Sequence, residues 1–582
     1  MSTTSTPSST TPPSTLQRWI DRAIGAGLFG GYLGALLSSV ENLGYARDEG
    51  FYFHAARTYG KWFQLLISDR HEALRRSVID SYWQENHEHP SLMKSLFALS
   101  QRFFEGVLFE ERGTAYRFPA LVLAALTVLL LFVWGRRAYG RAGGIVAALA
   151  FACMPRVFYN SHLACFDLPI TAFWVFVVFA YQRSFETRKL RWGLCAGVLY
   201  GLALATKHNS WAIPPALCAH VLVQHVLGLR RPWKRNWYRI HIPSALVFMA
   251  LLSPLLFYGL WPWIWTNTVE RLREYVAFHM QHVFYNMEFL GRTYFKPPFP
   301  RSYAWLMTLA TVPAATLWLA GLGALATLRS YWSERARRRA TPESHQDRPP
   351  DPTAWPPIDR GARDGAPSLW LLCMLASYSF WWSTSTPIFG GTKHWMPAYP
   401  FLALFAGAGF ALLQRALARW LERAWAGRFV RYRPLAEAAL GASLLSAPLL
   451  MTWHSHPWGL SFYTPLVGGA PGAATLGLNR TFWGYTTGAL QSDINELAGP
   501  DARVYIHDTA MDSFKMLQRD GRLRGDLKPW TTVSGSALAL YHHEQHMSRV
   551  EHMIWVDYGT VAPVRVGGLD GVPVVYLYQR PQ

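Results

Sequence analysis

Residues 117–134 read RFPALVLAALTVLLLFVW, an almost uninterrupted apolar stretch. A helix needs about 20 such residues to cross the hydrocarbon core of a bilayer, because lipid offers no hydrogen-bond partner to an exposed backbone group. Two arginines, Arg136 and Arg137, follow the stretch directly, and basic residues are typical of the cytoplasmic end of a span. The sequence therefore indicates a membrane-spanning helix that ends in the cytoplasm.

Further apolar stretches accompany this one along the chain. Together they predict an all-α polytopic membrane protein with about 11 transmembrane helices. A cleaved signal peptide is the alternative for residues 18–40, but a long polar tail precedes that run, which is atypical of signal peptides. The predicted spans lie near residues 23–40, 117–134, 143–159, 167–181, 192–206, 210–228, 242–264, 304–328, 368–386, 396–413 and 435–453.

The charge distribution predicts one orientation. The 582-residue chain is 51% hydrophobic and 16% charged, with a formal net charge of +20. Lys and Arg are concentrated in alternate loops, whereas segments 41–116 and 454–582 hold more acidic than basic residues. This pattern places the N-terminus of a multi-pass membrane protein in the cytoplasm. The positive charge is thereby explained by topology, and no nucleic-acid partner is expected.

The predicted organisation has three parts. Residues 1–19 form a disordered cytoplasmic tail, and residues 20–453 form the transmembrane core. Within the core, residues 41–116 are the first extracytoplasmic loop and residues 329–367 are a cytoplasmic linker. Residues 454–582 form a small extracytoplasmic α/β domain.

Local composition supports the α/β prediction for the last part of the chain. Residues 503–507, 553–557 and 572–578 are rich in the β-branched and aromatic residues typical of strands. Residues 490–498 and 511–519 show helical spacing of apolar residues. The five cysteines of the chain include no CxxC pair, which excludes a disulfide framework and a zinc finger.

Ionisable residues recur at the predicted extracytoplasmic mouths of the spans. Asp48 and Glu49 open the tract DEGFY, and residues 86–94 read NHEHPSLMK. A carboxylate can accept a proton from a hydroxyl group, and a lysine can bind a phosphate. Their combination at one membrane face suits transfer from a lipid phosphate. The later members of this set are Asp167, Lys207, His208, Lys393 and His394.

The order of these tracts resembles polytopic GT-C-fold glycosyltransferases. The similar group comprises protein O-mannosyltransferase-like enzymes of glycosyltransferase family 39 and bacterial aminoarabinose transferases. The motifs that carry the resemblance, besides the tracts above, are ACFDLP (164–169), GLALATK (201–207), WPWIW (261–265), YFKPP (294–298) and KHWMPAYP (393–400).

The resemblance implies a polyprenyl-phosphate sugar as donor and a hydroxyl of a lipid, glycan or protein as acceptor, on the extracytoplasmic face. It makes Asp48 the catalytic carboxylate and Glu49 its support. The donor phosphate would be bound by three lysines, and four further residues would line the substrate site. The lysines are Lys94, Lys207 and Lys393, and the lining residues are Tyr52, Asp167, His208 and His394. No cofactor is required by this scheme.

A divalent metal is a separate hypothesis. His87, Glu88 and His89 are candidate ligands, and the resemblance favours Glu88 first; the alternative is that they hydrogen-bond the loop backbone. His279 and His282 share one face of a predicted helix, for which a solvated amphipathic helix is the favoured interpretation. A solvated helix is likewise favoured for the histidine-rich residues 542–546.

Two other functions compete with glycosyl transfer. A transporter or flippase of a lipid-linked or small substrate would place ionisable groups near the bilayer midplane and show internal repeats. No such repeat is visible, and Arg156 is the main charged exception inside a predicted span. A non-catalytic scaffold would leave the carboxylates, lysines and histidines without a purpose.

Overall fold

The architecture is taken from a computed structural model of the chain. It describes residues 15–226, 242–340, 365–388, 390–425, 430–506, 510–544 and 547–581. Most of the predicted tail 1–19 and of the predicted linker 329–367 lies outside these ranges. The part of the tail that is described is helical, because the first helix begins at Thr15.

Helices dominate the first 455 residues. Numbered in chain order, they are α1 Thr15–Ser39, α2 Arg47–Ser68, α3 Arg70–Ala73, α4 Arg76–Trp83, α5 Leu92–Phe104, α6 Arg112–Ala152, α7 Pro155–Ser161, α8 Asp167–Thr187, α9 Leu190–Leu204, α10 Ile213–Val226, α11 Ser244–Leu260, α12 Thr268–Met280, α13 Tyr303–Thr311, α14 Ala314–Ala340, α15 Ala366–Ser379, α16 Tyr399–Trp425 and α17 Arg433–Ser455. A small antiparallel hairpin, β1 Met287–Phe289 and β2 Arg292–Tyr294, lies between α12 and α13.

The apolar helices make this an integral membrane protein. By length and composition, five of the described helices can cross a bilayer, and a sixth span is possible if the pair α13 and α14, bent by 117°, counts as one. The five lie at Thr15–Asn42, Arg112–Ala152, Asp167–Thr187, Met396–Ala424 and Arg433–Ser455. The predicted number of about 11 therefore stays a prediction.

Two features explain part of the difference in number. Helix α6 runs for 41 residues through the predicted span 117–134 and the first ten residues of the predicted span 143–159, with a break at Gly140, whose φ is 87°. Helices α9 and α11 are apolar but only 15 and 17 residues long, which is short for a helix that must cross about 30 Å of hydrocarbon.

The short helices α9 and α11 are held together by close backbone packing. Glycines 193, 197 and 201 recur every four residues on α9 and face α11. A Cβ atom at Gly197 would lie 2.7 Å from the carbonyl oxygen of Phe248. Small residues at this spacing let membrane helices approach closely, so larger side chains at these positions would force the pair apart.

The C-terminal residues form a five-stranded mixed sheet. The strand order is β4-β3-β5-β7-β6; β3 is parallel to β4 and β5, and β7 is antiparallel to β5 and β6. The elements of this part are α18 Gly469–Thr475, α19 Gln491–Leu497, β3 Arg503–Tyr505, α20 Met511–Arg519, β4 Lys528–Trp530, β5 Leu538–His542, α21 Ser548–Tyr558, β6 Arg565–Leu569 and β7 Val572–Gln579.

Two local predictions for this part were wrong. Residues 553–557, expected as a strand, lie in α21, where Ile554 and Tyr558 are buried one helical turn apart while Val556 is exposed. A short apolar run does not distinguish strand from helix by itself. His542, expected in a helix, is a buried end residue of β5; residues 545 and 546 lie outside the described ranges.

Candidate active site

A cavity of about 290 Å³ collects most of the predicted site residues. It lies where the start of α2, the loop before α5, the start of α8 and the segments after α9 and α15 meet. The predicted residues that line it are Asp48, Tyr52, Glu88, His89, Asp167, Lys207, His208, Lys393 and His394. These positions span 347 residues of sequence, so the fold brings together groups that local sequence leaves far apart.

Asp48 and Lys393 form the central ion pair of the cavity. The Lys393 ammonium donates to the Asp48 carboxylate at 3.1 Å, and Arg47 reaches the other carboxylate oxygen at 3.5 Å. Burial alone would raise the pKa of Asp48, but Lys393, Arg47 and Lys207 outweigh it and hold that pKa below 3.8. For Lys393, burial alone would lower the pKa, and the carboxylates of Asp48 and Asp167 raise it above 10.5. Both groups are therefore charged at neutral pH.

Asp167 and Lys207 form a second ion pair on the cavity wall. Asp167 is the first residue of α8, and its carboxylate accepts from the Lys207 ammonium at 2.5 Å. A carboxylate at a helix N-terminus is favoured by the helix dipole, which explains the position of Asp167. The two pairs place carboxylate and ammonium groups side by side in one partly enclosed space.

Imidazole rings form much of the remaining cavity wall. The rings of His208 and His279 lie 3.9 Å apart between centroids, and that of His89 lies 5.6 Å from His279. Burial, followed by neighbouring positive charge, lowers the pKa of each of these groups, in the case of His279 to about 3. They are therefore neutral hydrogen-bonding groups at physiological pH. The same holds for His282 and His394.

Glu49 does not reach the cavity, which corrects its expected place beside Asp48. Its side chain is fully buried and paired with Arg117 through two hydrogen bonds of 2.7 Å. The same two oxygens accept from the backbone amides of Ala46 and Ala164 at 3.0 and 2.9 Å. Successive helical residues point about 100° apart, so Asp48 faces the cavity while Glu49 faces the core.

Lys94 is also directed away from the cavity. Its ammonium donates to the backbone carbonyls of Asn86 and His89 and lies 5.2 Å from the ring centroid of Tyr59. Burial lowers the pKa of Lys94 to about 7. The geometry makes Lys94 a support of the loop that carries Glu88 and His89, and not a wall of the cavity.

The three candidate metal ligands do not converge. His87 packs against Trp263, with ring centroids 4.5 Å apart, and its Nδ1 lies 2.8 Å from the carbonyl of Gln84. Glu88 and His89 line the cavity, and Glu88 accepts from Asn86. Within the described residues, no three His, Cys, Asp or Glu side chains are arranged to hold a metal ion. A metal at these residues stays a prediction.

Several residues of the cavity were not expected from the sequence. His279 and His282 were assigned to a solvated helix, yet both line the cavity. The signal that could have found them is their spacing of three residues, which places His279 in the last turn of α12 and His282 just after its end. The other unexpected lining residues are Arg47, Phe51, Asn86, Phe278, Tyr285, Trp381, Thr386 and Pro387.

The segment that carries Asp48 is fixed by the C-terminal part of the chain. We refer to residues 40–47, the link between α1 and α2 together with the first residue of α2, as the strap. Nearly every residue of the strap is hydrogen-bonded to a distant element, and Gly44 packs so closely on Gly488 that a Cβ atom would lie 2.2 Å from the Gly488 Cα. The C-terminal contacts are Arg522 with the carbonyls of Glu41 (2.7 Å) and Leu43 (3.0 Å), Tyr45 with Asp520 (2.5 Å), Ser513 with the carbonyl of Ala46 (2.7 Å) and Arg47 N with the carbonyl of Gly484 (3.3 Å).

A known protein family matches a segment of the chain that supplies part of this site. Residues 94–258 match the family described as dolichyl-phosphate-mannose-protein mannosyltransferase. This segment of the chain is similar to that mannosyltransferase family. The mannosyltransferase-like segment contains Asp167, Lys207 and His208, whereas Asp48 precedes it and Lys393 follows it. The predicted resemblance is thus confirmed. No curated protein matches the sequence significantly.

Solved structures are similar along most of the chain at low identity. The crystal structure of ArnT from Cupriavidus metallidurans bound to undecaprenyl phosphate is 15% identical, with 97% of this chain and 98% of that chain covered and a TM-score of 0.42. Archaeal oligosaccharyltransferase AglB from Archaeoglobus fulgidus, in complex with an inhibitory peptide and a dolichol-phosphate, is 10% identical, with 94% and 72% covered and a TM-score of 0.49.

Proposed function

We propose that this chain is a GT-C-type glycosyltransferase that moves a sugar from a polyprenyl-phosphate donor to a hydroxyl group. The observation that supports it most directly is the meeting of Asp48, Lys393, Asp167 and Lys207 in one cavity. The match of residues 94–258 to a mannosyltransferase family supports the same class of chemistry. The proposed donor sugar is a hexose or a pentose, and the proposed acceptor is a lipid, glycan or protein.

In the proposed reaction, the acceptor oxygen forms a bond to the anomeric carbon of the sugar. The bond between that carbon and the phosphate oxygen breaks, and the polyprenyl phosphate leaves with the bonding electrons. Asp48 accepts or orients the acceptor proton, while Lys393 and Lys207 stabilise the charge that develops on the phosphate. Groups already directed at a developing charge are usually a large part of catalysis.

The charges around the cavity give donor binding a second effect. Lys393 is paired with Asp48 in the protein alone. A donor phosphate that binds the Lys393 ammonium draws it away from the carboxylate, which removes the cation that lowers the pKa of Asp48 most. The pKa of Asp48 then rises, and Asp48 becomes a stronger base once the donor is in place.

The neutral imidazoles suit the sugar itself. Sugar hydroxyls are uncharged donors and acceptors, and a neutral imidazole offers one nitrogen of each kind. Buried nitrogens of His89 and His208 have no hydrogen-bond partner within the described part of the protein. These groups are therefore available to a polar ligand, and we assign them to the sugar rather than to the phosphate.

The proposal includes the membrane arrangement derived from the loop charges. The cavity then opens on the extracytoplasmic side, with the N-terminus in the cytoplasm, about 11 spans and residues 454–582 as an extracytoplasmic domain. The proposed location is the inner membrane of a bacterium. Cysteine accessibility in intact cells, with single cysteines placed in the 41–116 loop and the C-terminal sheet, tests this orientation.

The decisive experiment is sugar transfer by the purified protein. A panel of radiolabelled polyprenyl-phosphate sugars is offered with membrane lipid and protein fractions to wild type, Asp48→Asn and Asp80→Asn. Asp80 is the matched control, since its carboxylate pairs with Arg271 in the same loop region but outside the cavity. We expect labelling by wild type and by Asp80→Asn but not by Asp48→Asn. Equal labelling by Asp48→Asn contradicts the role of that carboxylate, and no labelling by any protein contradicts the function.

A further inference from the structure

Trp483 adopts a conformation that is unfavourable on its own. Its φ angle is 40°, in the left-handed region that residues other than glycine rarely occupy. Its ring is only 4% exposed, and its buried indole N–H has no hydrogen-bond partner within the described residues. Each feature costs free energy, and such features persist where the surrounding structure enforces them, commonly at functional sites.

The surroundings of Trp483 show what enforces its position. The Lys393 ammonium lies 4.2 Å from the centroid of the Trp483 ring, a close cation–π distance. The preceding residue, Phe482, packs against Gly391, where a Cβ atom would lie 2.9 Å from the Phe482 ring. The following residue, Gly484, accepts a hydrogen bond from the amide of Arg47 at 3.3 Å. The 482–484 turn therefore contacts both segments that supply the central ion pair.

We infer that Trp483 is a positioning residue, whose ring holds the Lys393 ammonium against Asp48 and toward the phosphate of the donor. The inference rests on the proposed function for its catalytic consequence. Its structural part is independent of that function, because the ring and the ammonium are in contact without any substrate. Trp483 does not line the cavity, so it acts through Lys393 and not on the substrate.

The groups that face Lys393 determine how easily its ammonium loses a proton. A π face and a carboxylate both favour the ammonium form, whereas neighbouring cations disfavour it. Removal of the ring therefore makes the ammonium easier to deprotonate. The titratable and charged groups around Lys393 are Asp48, Asp167, Cys165, His282, His394, Lys207 and Arg47.

The test compares Trp483→Leu, which removes the π face, with Trp483→Phe, which keeps one. Each purified protein is reductively methylated at a series of pH values, and modification of Lys393 is measured by mass spectrometry. Only the free amine reacts, so the midpoint reports the protonation of Lys393. We expect the midpoint to fall by about 0.4 to 1.5 pH units in Trp483→Leu and by less in Trp483→Phe.

A matched control exists in the C-terminal sheet. The Trp530 ring holds the Arg503 guanidinium at 4.1 Å and lies outside the cavity. Trp530→Leu should leave the Lys393 midpoint unchanged. In sugar transfer, we expect kcat/KM to fall roughly 2- to 30-fold in Trp483→Leu, to recover largely in Trp483→Phe and to remain at the wild-type value in Trp530→Leu.

The two readouts separate failure of the inference from failure of the proposed function. An unchanged Lys393 midpoint in folded Trp483→Leu overturns the positioning role, whatever the transfer activity. A midpoint that shifts in Trp483→Leu, together with no sugar transfer by the wild-type protein, supports the contact between Trp483 and Lys393 and overturns the proposed function instead. Equal loss of transfer in Trp483→Leu and Trp483→Phe also contradicts the inference, because the π face is then irrelevant.

Discussion

Replacement of Glu49 by glutamine should destabilise the protein more than replacement of its neighbour Asp48 by asparagine, because the Glu49–Arg117 pair is fully buried whereas Asp48 is partly exposed. Glu49 and Arg117 are both fully buried, and the glutamate accepts four hydrogen bonds of 2.7 to 3.0 Å. Removal of one member of such a pair leaves a buried charge uncompensated and costs about 3 to 5 kcal/mol. The equilibrium constant for unfolding should therefore rise at least roughly 100-fold.

The assay is unfolding in detergent micelles, followed by circular dichroism and compared at equal protein concentration. Asp526→Asn is the control, since Asp526 pairs with Arg524 at the surface, where solvent screens an ion pair and its loss changes stability little. Arg117→Met should be destabilised as Glu49→Gln is. The double variant should recover part of the loss, because no unpaired charge is then buried. Wild-type stability of Glu49→Gln would refute this assignment of Glu49 to the core.

Three further predictions concern the supports of the site. Burial lowers the pKa of Lys94 from 10.5 to about 7. Between these pH values the unfolded chain binds more protons than the folded protein, so the free energy of unfolding should rise with pH. Lys94→Met should lack this rise in unfolding midpoints measured from pH 7 to 10. Arg522→Ala removes two hydrogen bonds to strap carbonyls. It should speed amide hydrogen exchange in residues 40–48 and lower kcat about tenfold. Unchanged exchange would contradict the conclusion that the C-terminal part of the chain fixes the strap. Gly44→Ala puts a Cβ atom 2.2 Å from the Gly488 backbone and should lower stability and transfer together, whereas Gly27→Ala, in open space on α1, should change neither.

The site residues that the sequence could indicate share one local signal. A charged side chain close to lipid is energetically unfavourable, so its presence there indicates a function. Four of the site residues stand at or near the end of an apolar segment, namely Asp48, Asp167, Lys207 and Lys393. Alternating loop charges then predict that these ends lie on the same side of the membrane. Topology thus places these residues on one side of the membrane, whereas packing decides which of them meet in the cavity, as Lys94 shows by being directed away from it.

The residues that the sequence could not assign depend on partners far along the chain. Glu49 has the same local surroundings as Asp48, and only the buried Arg117, 68 residues later, separates their roles. Trp483 contacts Lys393 through a backbone turn whose φ angle cannot be read from composition. The number of spans depends on where helices break, such as Gly140 inside α6. Each case is decided by tertiary packing, which overrides local pattern.

The link between Tyr45 and Asp520 joins positions 475 residues apart. A ribosome that adds 5 to 20 residues per second needs roughly half a minute to a minute and a half to cover that distance. During this interval the strap has none of its C-terminal contacts, and Asp48 is not yet held in its final position. We therefore expect a nascent or prematurely terminated chain to lack the fixed Asp48 on which the proposed sugar transfer depends, so that this activity begins only after synthesis is complete.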